Sequence, residues 1–161
     1  MQIISAPTAA LKGTNALTNI TEAGNLIVND GKTTVSGKLE QNSVTVANNA
    51  VLEAVLDKFV VSSNTINNGV LNLFGNGAIN KDITGNGNLN LDGIVDNNAA
   101  VTQKDLTLAS GKFTNSGTIS VVDSVNINGN MTNNGSVSAK DLIVSGNFAN
   151  KANAAINGVL T

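Results

Sequence analysis

The chain has 161 residues, 41% of them apolar and only 12% charged, with a formal net charge of −2. It contains no His, Cys, Trp, Tyr or Arg, which excludes a thiolate nucleophile, an imidazole base and a zinc site of the usual nitrogen and sulfur type. Nine scattered Lys form no basic footprint for nucleic acid, and no apolar run reaches the ~20 residues of a membrane helix, so neither nucleic-acid binding nor membrane insertion by this segment is expected.

Taken in chain order, residues 1–18 are weakly patterned and, with Pro7, are expected to form an N-terminal cap or incomplete coil. Met1 to Pro7 has neither the basic region nor the apolar stretch of a signal peptide, so the chain is read as cytoplasmic or as an internal piece of a longer exported protein. Residues 19–161 have no linker or composition shift and are expected to form one unit. Leu26-x-Val28 recurs as Val44-x-Val46 and then, after a shorter step, as Phe59-x-Val61. Between Ala50 and Lys58 the apolar spacing predicts a helical turn or a small excursion where the step shortens. Leu71-x-Leu73 with Gly75 recurs as Leu89-x-Leu91 with Gly93, the step being the same as that from Leu26 to Val44.

From residue 89 onward the repeat is explicit. Gly93, Gly111, Gly129 and Gly146 follow one another at intervals of 18, 18 and 17. Val95, Phe113, Met131 and Phe148 keep the same steps, as do Asn97, Asn115, Asn133 and Asn150. Within each row the alternation has period two, the mark of strands with one buried face. A lap of about 18 residues is too short for a helical hairpin or a propeller blade, but it suits one coil of a parallel β-solenoid. The expected fold is therefore all-β, a single-stranded right-handed parallel β-helix, its hand taken from strand twist and crossover preference. Eight or nine coils would make a rod about 40 Å long.

Two files carry the structural argument. Val95, Phe113, Met131 and Phe148 are expected to stack as a core column, and Asn97, Asn115, Asn133 and Asn150 as a ladder at a corner. The chain has 28 Asn, which reads as corner chemistry: the amide bonds backbone groups left open at a bend, tolerates the left-handed region and bonds its neighbours up the column. Gly at a fixed column supplies positive φ where the chain turns. The two end coils are expected to be open edges that invite pairing. The alternation continuing through Ala154 to Leu160 suggests a fragment.

Other motifs have plainer readings. Lys81-Asp82, Lys104-Asp105 and Lys140-Asp141 read as solvated corners rather than a charged docking stripe. Thr118/Ser120 and Ser136/Ser138, with Ala100/Thr102 below, read as a polar outer face rather than an ice-binding one. Gly85 to Asp92 touches the calcium-binding nonapeptide pattern once, without its Asp, so no calcium cage is expected. Sequons at Asn19, Asn130 and Asn134 are expected from composition alone. Eight Asp and three Glu are spread along the rod, so no catalytic residue, cofactor or metal ligand is expected and the protein is read as not an enzyme.

Gly85-x-Gly87-x-Leu89-x-Leu91-x-Gly93 resembles the passenger-associated repeat of bacterial autotransporters. Phe113-Thr-Asn-Ser-Gly-Thr-Ile and Met131-Thr-Asn-Asn-Gly-Ser-Val are similar to the coils of autotransporter and filamentous haemagglutinin-type adhesins. The likeness covers residues 19–158. It implies a segment of a Gram-negative cell-surface or secreted adhesin, with a host-cell surface protein or glycan as partner and self-association through end coils as a further option. The expected function is a rigid stalk or display surface for cell adhesion. Alternatives are a self-assembling surface coat or filament subunit and, third, a carbohydrate-active β-helix enzyme.

Overall fold

Period-two alternation becomes a closed structure only if each lap finds a partner above and below, and that is how the chain folds. The computed structural model describes residues 3–4, 8–21 and 24–161, and among these there is no helix. Two sheets run the length of the rod, every strand pairing in parallel with the strand one lap away. The second sheet stacks nine strands, from Thr8–Leu11 through Ser43–Val46 and Ala100–Gln103 to Asn153–Ile156. Eight steps of about 4.8 Å make a rod of about 38 Å. The fold is a parallel β-solenoid.

The first sheet shows how a coil is built. Its middle strands are long, as in Val70–Ile79, Asn88–Asn97 and Asp105–Asn115, and bend in the middle at a glycine. One lap later the long strand divides into Ser124–Ile127 and Asn130–Asn133, and the next lap into Asp141–Val144 and Asn147–Asn150. With the second-sheet strand, each coil therefore has three straight sides. Inward residues meet in one core: Leu106, Leu108, Phe113, Ile119 and Val121 from one coil lie beneath Val125, Ile127, Met131, Val137 and Ala139 from the next, all buried. Burying a Leu, Ile, Val or Phe side chain stabilises by about 1.5–3 kcal/mol, and a lone coil could not close that face.

The lap length varies, and bulges absorb the difference. Leu89 pairs with Leu106, an interval of 17, whereas Val95 pairs with Phe113, an interval of 18. The register shift after Leu91 leaves Ala109 as the extra residue.

The N-terminal half departs from the sequence reading in two places. The helical turn expected between Ala50 and Lys58 does not form, because these residues belong to the strand Ala50–Val61. Ala50, Leu52, Ala54 and Leu56 point inward at period two. The expected irregularity is a register shift between Val55 and Lys58. The expected stacking of Val44 and Val46 on Phe59 and Val61 is also corrected. Val44 pairs with Thr65 and Val46 with Asn67, so this lap is lengthened rather than shortened, while Phe59 pairs with Gly77 on the other sheet.

Of the stretch read as a cap or incomplete coil, Thr8–Leu11 pairs with Asn25–Val28, and Asn15–Ile20 pairs with Gly31–Leu39. Pro7 lies outside the described residues.

Candidate functional site

The repeat columns are the natural place to look for chemistry. Val95 pairs with Phe113, Phe113 with Met131, and Met131 with Phe148. The first three are buried and Phe148, in the last rank, is half-buried. The column is apolar packing and carries no group that could do chemistry.

The asparagine file lies inside the prism for its first three members, while Asn150, in the last rank, is exposed. Asn97, Asn115 and Asn133 are completely buried at the ends of their strands. Asn97 Nδ2 donates to Asn115 Oδ1, Asn115 Nδ2 to Asn133 Oδ1, and Asn133 Nδ2 to Asn150 Oδ1, each at 2.8 Å. Each amide also turns the chain at the following corner: Asn97, Asn115 and Asn133 donate to the carbonyls of Ala99, Gly117 and Gly135. None of these Asn adopts the left-handed conformation; among the described residues Asn49 is the one non-glycine with positive φ. The side-chain amide, not backbone tolerance, is why Asn stands here.

The glycine file at the bend has two separate causes. Gly93 has φ +129°, and a Cβ there would run into the carbonyl oxygen of Gly75 one lap below. Gly129 has no positive φ, yet its Cβ would still meet the oxygen of Gly111 at 2.7 Å. Close approach of successive laps persists where the unusual φ does not.

The Lys-Asp corners carry a contact that spacing alone missed. Asp82 accepts the N–H of Ala100 at 3.0 Å, Asp105 that of Ser124 at 3.1 Å, and Asp141 that of Val159 at 2.8 Å. Each carboxylate caps an open backbone donor one lap up. Lys104 with Asp123 and Lys140 with Asp141 are exposed ion pairs at 3.8 and 3.9 Å, worth little in water.

On the outer face of the second sheet Thr102, Ser120 and Ser138 form one file, and Ala100, Thr118 and Ser136 another. Neither file gathers acidic groups, and among the described residues no three His, Cys, Asp or Glu side chains come together to hold a metal.

Two features break the repeat, and sequence reasoning found neither. Gly85 leaves a gap in an inward file, and across it Asn67 Nδ2 donates to Gln103 Oε1 at 2.6 Å, two laps away. Asn67 Oδ1 stays buried without a partner. Where the lap lengthens between Val44 and Thr65, Leu39, Val44, Leu52, Leu56, Phe59 and Leu71 surround an apolar cavity of about 40 Å³.

The fold defines a class: a repeat protein of the parallel β-solenoid type, with a largely apolar core that also holds a file of buried, hydrogen-bonded amides. Compared with known proteins, the chain matches no family model, no curated protein and no solved structure.

Proposed function

We propose that the chain is a rigid structural segment of a surface-exposed bacterial adhesin of the autotransporter passenger kind, holding a distal binding element away from the outer membrane. The observation that carries this reading is the continuity of register: both sheets pair lap on lap from Thr8 to Ile156. Bending such a rod strains many parallel strand pairings at once, so length is delivered with stiffness. The passenger-like repeats at Gly85–Gly93 and in the rows at Phe113 and Met131 add the cell-surface setting. Sparse charge and the lack of Cys suit a chain that crosses a secretion pore unfolded and winds up outside without bridge formation.

Two measurements test it. Antibody labelling and protease shaving of intact cells should find the segment outside, and recovery solely from the cytosol would overturn the proposal. Deleting residues 112–129, one full lap, should leave a folded rod shorter by about 4.8 Å that still supports adhesion. Loss of adhesion by that variant, with its fold intact, would show instead that the removed faces themselves bind or react.

A further inference from the structure

We infer that Asn68–Gly69 is a self-modifying site, where the folded chain converts one asparagine to an aspartyl or isoaspartyl residue without an enzyme. The sequence holds six Asn-Gly pairs, at Asn68, Asn76, Asn86, Asn128, Asn134 and Asn157. In such a pair the glycine nitrogen, unshielded by a side chain, can attack the asparagine Cγ. Sequence alone would treat the six alike, but the fold does not.

The nucleophile must be a free amide, and five of the six glycines have theirs engaged. Gly87 N–H donates to Asn67 O at 3.0 Å, Gly129 to Leu108 O at 3.4 Å and Gly158 to Lys140 O at 2.7 Å. Gly135 N–H donates to Asn133 Oδ1 at 3.3 Å, and Gly77 lies inside a strand paired on both sides. Gly69 lies outside any strand, and among the described residues its N–H has no acceptor. A second observation concerns the same corner. At a different corner, which ends a first-sheet strand, Asn133 Oδ1 holds the N–H two residues on; Asn67 Oδ1, at the same two-residue offset from Gly69 but ending a second-sheet strand, is buried without a partner. A donor and an acceptor two residues apart, Gly69 N–H and Asn67 Oδ1, are thus both left without partners.

The electrophile is prepared as well. Asn86 N–H donates to Asn68 Oδ1 at 3.1 Å, placing a backbone donor on the oxygen that becomes negative when Cγ turns tetrahedral. Asn68 is exposed, so water reaches the leaving group. Gly69 N loses its proton to solvent base and bonds to Asn68 Cγ; the Cγ–Nδ2 bond then breaks as Nδ2 takes a proton from water, and ammonia departs, leaving a succinimide. One water then opens the ring at either carbonyl. The result is a new negative charge at the corner, with an extra backbone carbon in the isoaspartyl product. Asn76 is the internal control: its Oδ1 also accepts a backbone donor, Ile94 N–H at 2.9 Å, but its glycine is tied into the sheet.

The test is incubation of the folded chain at mildly alkaline pH in ¹⁸O-water, with quenched samples digested at acidic pH and mapped by mass spectrometry. Asn68 should gain label at least about tenfold faster than any of the other five, the factor corresponding to breaking one backbone hydrogen bond first. In denaturant all six should react at similar rates. Labelling of Asn76 or Asn134 as fast as Asn68 in the folded chain would overturn the inference, as would protection of all six. Asn86→Pro, which removes the donor on Asn68 Oδ1 and with it the Asn86 site itself, should slow position 68 while leaving Asn76, Asn128, Asn134 and Asn157 unchanged. If instead all positions accelerate, the variant is unfolded, and the native-chain ranking decides.

Discussion

Replacing Asn115 tests whether the buried amide file is a chain of donors or merely a filled volume. Its Oδ1 accepts from Asn97, while its Nδ2 donates to Asn133 Oδ1 at 2.8 Å, Ser136 O at 3.1 Å and Gly117 O at 3.3 Å. In Asn115→Leu both functions vanish while the branching at Cγ is kept. Asn97 Nδ2 keeps Ala99 O, Asn133 Oδ1 keeps Gly135 N–H and Gly117 O keeps Ser136 N–H, so few groups are orphaned and the cost is about 1–2 kcal/mol. Asn115→Asp preserves shape and the acceptor towards Asn97, but sets an oxygen against three oxygens with no proton between them. That buried, unpaired carboxylate should cost about 4 kcal/mol or more at neutral pH. Burial raises the folded-state pKa of the introduced acid above its unfolded value of about 3.9. The variant is therefore least destabilised below that value, where it is protonated in both states, and loses stability as pH rises towards the folded pKa. Urea midpoints read by circular dichroism at neutral and acidic pH measure both effects. An Asn115→Asp variant as stable at neutral pH as Asn115→Leu, or one with no pH dependence beyond the parent's, would refute the donor chain.

Other substitutions probe the remaining files. Phe113→Asp or Met131→Asp should prevent folding or destabilise by several kcal/mol, whereas Thr114→Asp or Thr132→Asp, on the half-buried outer side of the same strands, should stay within about 0.5 kcal/mol by thermal melting. Gly111→Ala, which meets both φ +78° and the oxygen of Gly93, should cost about 3 kcal/mol or more in denaturant titration, and more than Gly129→Ala, where only the close approach acts. Val44→Leu adds a methylene towards the 40 Å³ cavity and should raise stability by up to about 1 kcal/mol, read as a higher melting temperature.

What the sequence made legible was what repeats at constant step. The files at Val95 and Asn97 stand in single columns because those strands pair at intervals of 18, 18 and 17. The row at Phe59 was misplaced because Phe59-x-Val61 has the same local alternation as Val44-x-Val46, while pairing depends on a longer lap that alternation does not encode. Ala50 to Lys58 imitated a helix because Val51 and Val55, on the outer side of their strand, add apolar residues between the inward ones. The sheet neighbours on both sides then override local preference. The aspartate caps were hidden in the same way. Asp105, Asp123 and Asp141 recur at intervals of 18, but a local step of 19 followed by one of 17 leaves Ser124, not Asp123, between Asp105 and Asp141.

These misreadings share a physical origin that bears on what the rod can do. A stack of identical laps offers every partner the same surface, so any specific event needs a place where the stack is unequal. The unequal places cluster around residues 56–69: the longest lap, the cavity beneath Val44, the amide bridge over Gly85 and the unheld N–H of Gly69. The coils from Asn97 onward have the complete amide ladder and supply stiffness. If an outer face bound a partner by repetition alone, shifting the partner by one lap would change little. If binding or modification is specific, it belongs where the laps cannot be superposed, and that is the part of the chain whose register the sequence did not disclose.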